Sequence, residues 1–231
     1  MKPLLLCSLC LALSLGAAPN SGLKPVWEDN FDAKVIDTKK WNVSGPVSIV
    51  DGKLQLDVAP KDKPGFWSAG NVDTRGKFSH GPGYFEASIR AIQAKDRGHV
   101  TFQFRNMDLA KIPSAEMYFW FAGADKVSPN LNFYDDAGKH PLSPKDSPIE
   151  LDGGKSYKKF LTYGLQWTDK NYIWYVEGRQ VHKLSRPTPK EPVYIVINQY
   201  LGEGGLLKKY MDPKLGPEPL QVDWVRVFKI P

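Results

Sequence analysis

Apolar and polar residues alternate with a period of two along most of the chain, as in strands that bury one face. Phe85, Ala87, Ile89 and Ala91 alternate with Glu86, Ser88 and Arg90, and Val100, Phe102 and Phe104 alternate with Thr101, Gln103 and Arg105. Val47–Val50 and Leu54–Val58 flank Asp51-Gly52, a pair suited to two-residue hairpins because both turn positions take positive φ. Further strand-like runs lie at Met117–Phe121, Leu131–Tyr134, Phe160–Trp167, Tyr172–Val176, Val193–Asn198 and Val222–Phe228. Gly81-Pro82-Gly83, Gly153-Gly154, Glu177-Gly178 and the glycines at 202–205 punctuate them. Ten or more strands without an internal repeat predict an all-β fold, an antiparallel sandwich. No low-complexity linker divides the chain, and Pro141–Pro148 reads as a surface loop near a rim. Residues 19–231 are therefore expected to form one domain.

The same periodicity sorts side chains by face. In the run Ala115–Phe121, Met117, Phe119 and Phe121 share one face and are assigned to the core. Glu116, Tyr118 and Trp120 share the other, two amphipathic rings beside one carboxylate. Such a row suits the floor of a sugar cleft, where aromatic faces meet the C–H faces of pyranose rings and polar edges orient hydroxyls. The competing reading is a second packed face with a hydrogen-bonded Glu.

Composition narrows the class. The 231 residues include 20 Gly and 19 Pro, a density hard to reconcile with long helices, and 7 Trp, 10 Tyr and 11 Phe. A helical bundle and a Rossmann-type enzyme are excluded. At the N-terminus, Lys2 precedes an apolar stretch, Leu4 to Leu15, too short to span a bilayer, and Gly16-Ala17-Ala18 supplies small residues. Residues 1–18 are thus expected to be a secretory signal, with Pro19 an awkward neighbour directly after the cut. Both cysteines, Cys7 and Cys10, fall inside it, so the exported chain relies on its core and not on disulfides. A soluble secreted or periplasmic protein is expected, with no membrane span and a monomeric state. The formal charge of +6 is spread over scattered lysine pairs and forms no patterned arm, which argues against nucleic acid and leaves an anionic polysaccharide open. The four histidines show no metal-ligand spacing, and neither a Ser/His or Cys/His nucleophile motif nor a phosphate-cradling glycine loop is present.

Six segments in order resemble family 16 of the glycoside hydrolases, the laminarinase, lichenase and carrageenase group. They are Trp27–Asp32 with Ile36–Trp41, Asp51–Leu56, Thr74–Phe78, Gly83–Arg90, Tyr163–Trp167 with Ile173–Gly178, and Val222–Val227. The resemblance runs from Trp27 to Phe228 and implies a concanavalin-like β-jelly roll of two curved antiparallel sheets, with a sugar cleft on the concave one. It implies a polysaccharide partner, β-glucan or galactan, and no required cofactor. It also implies a structural calcium at Asp223, with backbone carbonyls near Asp29 and Gly83.

The catalytic strand departs from the family pattern. E-x-D-x-E or E-x-D-x-x-E is expected there, and the chain reads Glu116-Met117-Tyr118-Phe119-Trp120-Phe121. Glu116 fits the nucleophile position, Tyr118 replaces the assisting Asp, and no carboxyl group stands at the acid position. Retaining hydrolysis usually needs two carboxyl groups ~5–5.5 Å apart. By the same resemblance the cleft Trp is replaced by Phe102 or Phe104, and Phe104, Tyr118, Trp120 and Asn198 are the candidate substrate contacts. Asp125, Asp135, Asp136 and Glu203 are loop carboxylates whose spacing selects none of them as a substitute acid. The expectation is a polysaccharide-binding protein with impaired or lost hydrolysis. The rivals are an active glycosidase using Glu116 with another acid, and a lyase-like activity on an anionic polysaccharide using Tyr118.

Overall fold

The computed structural model describes residues 17–60, 67–92, 99–106, 114–121, 126–135, 138–141, 149–150, 158–186, 188, 191–200 and 218–231. Among these the chain forms strands β1 (Trp27–Asp29), β2 (Asn42–Ser44), β3 (Val47–Val50), β4 (Lys53–Leu56), β5 (Val58–Pro60), β6 (Trp67–Ala69), β7 (Asn71–Asp73), β8 (Gly83–Arg90) and β9 (His99–Asn106). They continue as β10 (Ser114–Phe121), β11 (Lys126–Asp135), β12 (Gly138–Pro141), β13 (Ile149–Glu150), β14 (Leu161–Trp167), β15 (Asn171–Val176), β16 (Arg179–Ser185), β17 (Val193–Tyr200) and β18 (Leu220–Phe228). The described residues contain no helix.

Two eight-stranded antiparallel sheets account for nearly all of them. The back sheet runs β16-β15-β14-β8-β18-β4-β3, with β1 added beside β18. The cleft sheet runs β12-β11-β10-β9-β17-β7-β2, with β13 added beside β11. Sequence neighbours are often far apart in this order, as in a jelly roll, and the all-β sandwich expected from the alternation is what forms. The tight hairpins sit at the anticipated dipeptides. Asp51 and Gly52 (φ 50° and 67°) join β3 to β4, and Glu177 and Gly178 (φ 50° and 72°) join β15 to β16. Positive φ at both turn positions matches the twist of the flanking strands.

The inner faces of the two sheets interdigitate. Phe85, Ala87, Ile89, Leu165, Trp167, Trp174 and Val225 come from the back sheet, and Phe102, Phe104, Met117, Phe119, Leu131 and Ile195 from the cleft sheet. A polar bond crosses this layer: Trp174 Nε1 donates to the Tyr118 carbonyl at 3.3 Å, linking the sheets where β10 carries its outward side chains.

Phe104 corrects one expectation. It is fully buried between the sheets, beside Phe85 and Phe102 at ring-centroid distances of 4.7 Å, and touches no part of the cleft. Phe102 is buried on the same face. The alternation with Thr101, Gln103 and Arg105 already required this, because a strand presents even and odd positions to opposite sides.

The outer face of the back sheet is partly covered by the chain's own beginning. Ala17 bridges to Arg179, the Ala18 N–H donates to the Gly178 carbonyl at 2.9 Å, and Ala18 and Leu23 pack on Tyr84, Tyr175 and Phe228. Beneath this segment Asn20 Nδ2 donates to Glu86 Oε1 at 3.0 Å. Burial pushes the Glu86 carboxyl above its ordinary range, opposed by the Tyr84 hydroxyl, the Arg226 guanidinium and Asn20. Gly164 lies opposite Glu86 on β14, where a Cβ would come within 2.0 Å of the Tyr84 hydroxyl oxygen.

Asp223 lies at an irregularity in β18, where the pairing with β8 slips between Val222 and Trp224. Its Oδ1 accepts from Lys53 Nζ at 2.6 Å. Asp29 spends its carboxylate on the Phe31 N–H and on Trp41 Nε1, at 3.0 and 2.8 Å, and Gly83 lies against the Phe228 carbonyl. The calcium expected from the resemblance would thus share Asp223 with the Lys53 ammonium group, which holds one of its two carboxylate oxygens.

Candidate active-site cleft

The outward face of the cleft sheet is built in rungs of paired residues. Asn132, Glu116, Arg105 and Tyr194 form one rung across β11, β10, β9 and β17. Asn130, Tyr118, Gln103 and Val196 form the next, and Ser128, Trp120, Thr101 and Asn198 the third. The period of two places all of them on the side facing away from the core, where they alternate with Met117, Phe119, Phe121, Phe102 and Phe104. A depression of about 490 Å³ opens on this face, lined by Thr101, Gln103, Arg105, Glu116, Tyr118, Trp120, Asn132 and Asn198.

Glu116 is the most constrained group in it. Its Oε1 lies 3.0 Å from Arg105 Nη2. Its Oε2 accepts from Asn132 Nδ2 at 3.0 Å and from the Tyr134 hydroxyl at 2.8 Å. Both carboxylate oxygens are therefore held by neighbours, with one partner on Oε1 and two on Oε2. Arg105 Nε is itself buried without a hydrogen-bond partner, which leaves the guanidinium dependent on Glu116.

Of the two phenols beside this carboxylate, Tyr134 donates to it. Burial, with Glu116 nearby, pushes the Tyr118 hydroxyl above its ordinary value, and Asn132 offsets this in part. Burial and the hydrogen bond to Glu116 push the Tyr134 hydroxyl well above the ordinary tyrosine range. Both shifts favour the neutral phenol.

The rest of the floor is aromatic and amide-rich. The Tyr118 and Trp120 rings lie 6.4 Å apart at 42° and are partly exposed. Thr101 Oγ1 donates to Asn198 Oδ1 and accepts from Gln103 Nε2 at 3.1 Å. At the neighbouring edge the Arg75 guanidinium lies 5.3 Å from the Tyr194 ring centre, and Asp73 accepts from Asn42 Nδ2 at 2.9 Å. Neutral donors and acceptors beside two tilted rings can bind a hydroxyl-rich ring by stacking and edge hydrogen bonds.

Of the residues anticipated from sequence, Glu116, Tyr118, Trp120 and Asn198 come together in the depression and Phe104 does not. Asp125, Asp136, Glu203 and the Asp135 side chain lie outside the described residues. Arg105, Asn132 and Tyr134, which hold Glu116, were not anticipated. The signal for them was present in the same alternation, since each is an outward position on a strand beside Glu116 or one rung away. Among the described lining residues Glu116 is the only carboxylate. Among the described residues no group of three or more His, Cys, Asp or Glu is placed to hold a metal ion, and no helix is long and apolar enough to cross a membrane.

Two antiparallel sheets with a lined depression on one outer face define a jelly roll. The family model "Glycosyl hydrolases family 16" matches residues 36–226, and the chain belongs to that family. A "Xylanase/beta-glucanase" of Ruminococcus flavefaciens is 30% identical over 163 residues, covering 67% of this chain, which spans only 19% of that relative's length. A "Beta-glucanase" of Acetivibrio thermocellus is 27% identical, covering 99% of this chain and 71% of the relative. The laminarinase catalytic domain of Thermotoga maritima MSB8 superposes with a TM-score of 0.72 at 18% identity, covering 90% of this chain and 98% of that one. Porphyranase B of Zobellia galactanivorans gives a TM-score of 0.72 at 19% identity, with coverage of 89% and 92%. These structural likenesses establish the shared fold.

Proposed function

We propose that the protein is exported and binds a polysaccharide, a β-glucan or galactan, in the cleft of its family 16 fold, with retaining hydrolysis weak or lost. The observation that carries this reading is the state of Glu116. It is ion-paired to Arg105, doubly hydrogen-bonded on its other oxygen, and without a second carboxyl group among the described lining residues. A retaining mechanism needs one group to attack and another to protonate the leaving oxygen. General acid catalysis contributes ~10²–10⁴-fold, and neither Tyr118 nor Trp120 can replace it. The aromatic replacements add stacking area that holds ground-state sugar as well as it holds the transition state, which favours binding over turnover.

The relatives' names favour the other reading, an active glycosidase whose acid comes from a residue outside the described set. The lyase alternative is the less favoured one because burial and the Glu116 charge push the Tyr118 hydroxyl above its ordinary value. A panel of laminarin, lichenan, agar, porphyran and carrageenan, assayed for reducing ends, for unsaturated products and for binding by the same purified protein, separates the three. Micromolar binding to one glycan with no product is the expected result. Robust release of reducing ends abolished by Glu116→Gln overturns it.

A further inference from the structure

On the footing of the glycan-binding reading above, we propose that Arg105 and Arg75 form a subsite for an anionic substituent, a sulfate ester or a carboxylate, carried by the polysaccharide. The first rung of the cleft face, Asn132, Glu116, Arg105 and Tyr194, continues past Tyr194. Val196 pairs with Asp73, so the antiparallel register brings Arg75, just beyond β7, beside Tyr194. Arg105 flanks the same tyrosine from β9, two strand spacings from Arg75, or about 10 Å at the backbone. The Arg75 guanidinium lies 5.3 Å from the Tyr194 ring centre. Burial, with Asp73 and Glu116 adding to it, raises the Tyr194 hydroxyl, and Arg105 and Arg75 oppose the rise, so both guanidinium charges reach one buried phenol.

Each arginine has a carboxylate beside it, and in each pair the cation is the exposed partner. Arg105 has 28% of its side chain exposed against 13% for Glu116, and Arg75 57% against 11% for Asp73. The pairs sum to zero charge, yet the surface offered to a ligand is positive. Neither guanidinium is saturated by its carboxylate. Arg75 Nη2 stands 4.0 Å from Asp73 Oδ2, while Asp73 Oδ1 accepts from Asn42 Nδ2 and from the Arg75 N–H, both at 2.9 Å. Asn42 Nδ2 also donates to the Arg75 carbonyl at 2.8 Å, so the backbone of Arg75 is fixed and its guanidinium faces solvent. Arg105 gives Glu116 one nitrogen, Nη2, and its Nε has no hydrogen-bond partner. A guanidinium carries five N–H donors in a planar fork that matches two oxygens of one oxyanion. Glu116, held on its other oxygen by Asn132 and Tyr134, thus acts as the counter-ion that positions Arg105. The lining residues of the other two rungs, Tyr118, Gln103, Trp120, Thr101 and Asn198, are neutral. Sugar rings lie on that neutral floor with the anionic group turned towards the two arginines.

Glycans matched except for the anionic group test this by titration calorimetry: carrageenan against its desulfated form, and polygalacturonate against its methyl ester, with laminarin as a neutral reference. The charged member of one pair is expected to bind about tenfold tighter than its neutral counterpart, and the pair that discriminates identifies sulfate or carboxylate. Arg75→Gln, and Arg105→Lys, which keeps the charge facing Glu116 but loses the planar fork, are each expected to cut that ratio severalfold. Lys183→Gln removes one charge from an exposed position on β16 of the back sheet and is expected to leave the ratio as it is. Equal affinity within both pairs, binding confined to neutral glycans, or a ratio unchanged in Arg75→Gln or Arg105→Lys overturns the subsite and leaves glycan binding standing. A ratio that falls equally in Lys183→Gln also overturns it, because the preference is then attraction to the net positive charge of the chain. Binding to no glycan at all overturns the subsite together with the reading of the cleft.

Discussion

Replacing Glu116 by Gln separates a structural anchor from a poised nucleophile. The substitution keeps the shape and one acceptor but removes the charge on which Arg105, Asn132 and Tyr134 converge. At 3.0 Å the Arg105–Glu116 attraction is worth roughly 5 kcal/mol gross at an effective dielectric of about 20. Much of that was spent on desolvation, and Arg105, with 28% of its side chain exposed against 13% for Glu116, recovers some hydration when the charge is lost. The net cost therefore falls between a surface pair, below ~1 kcal/mol, and a fully buried one, ~3–5 kcal/mol. We expect a loss of about 2 kcal/mol, which in a domain of this size lowers the melting temperature by about 4–8 °C. Calorimetry of the purified protein reads it directly. The double variant Glu116→Gln/Arg105→Gln should be less destabilised than the two single changes together, by ~1–2 kcal/mol of coupling. An active site commonly sacrifices stability to function, and neutralising a working nucleophile then leaves the protein as stable or more so. Wild-type or higher stability in Glu116→Gln would refute the anchored-carboxylate reading.

Trp120→Ala should weaken binding of the glycan found in the panel by about tenfold, or ~1.4 kcal/mol, by titration calorimetry; unchanged affinity would remove Trp120 from the binding surface. Gly164→Ala drives a methyl to 2.0 Å from the Tyr84 hydroxyl and should cost ~1–3 kcal/mol in denaturant unfolding, so full stability would contradict that contact. Glu86 has its carboxyl raised in the fold, chiefly by burial, so the wild type gains stability from this group as pH falls through the raised folded value, and the gain is complete below the unfolded one. Glu86→Gln lacks that gain. Its melting temperature relative to wild type should therefore be highest near pH 8 and decline towards pH 4, and a pH-independent difference would refute it.

The strands, the hairpin turns and the division of β10 into core and cleft faces could be read from the sequence because a period of two encodes a face directly. The misplaced residue shows the limit. Phe104 was assigned to the cleft by position within a family pattern, although its own alternation with Gln103 and Arg105 placed it inside. Here the local physics was the better guide. Arg105, Asn132 and Tyr134 were hidden for another reason. They come from three strands, and their meeting depends on the registers Glu116↔Arg105, Glu116↔Asn132 and Ser114↔Tyr134, which no single segment encodes. The Lys53–Asp223 pair, 170 residues apart in sequence, escaped notice in the same way.

Among the described residues, two slips in strand pairing occur, both in the back sheet, one bulging out Asp223 in β18 and the other adding a residue to β16 opposite Trp174 and Tyr175. The pairings of the cleft sheet run in unbroken register. A bulge bends its strand and increases the local twist, so gaining or losing the extra residue at Asp223 would alter the twist of the sheet behind Glu116 without changing any residue of the cleft floor.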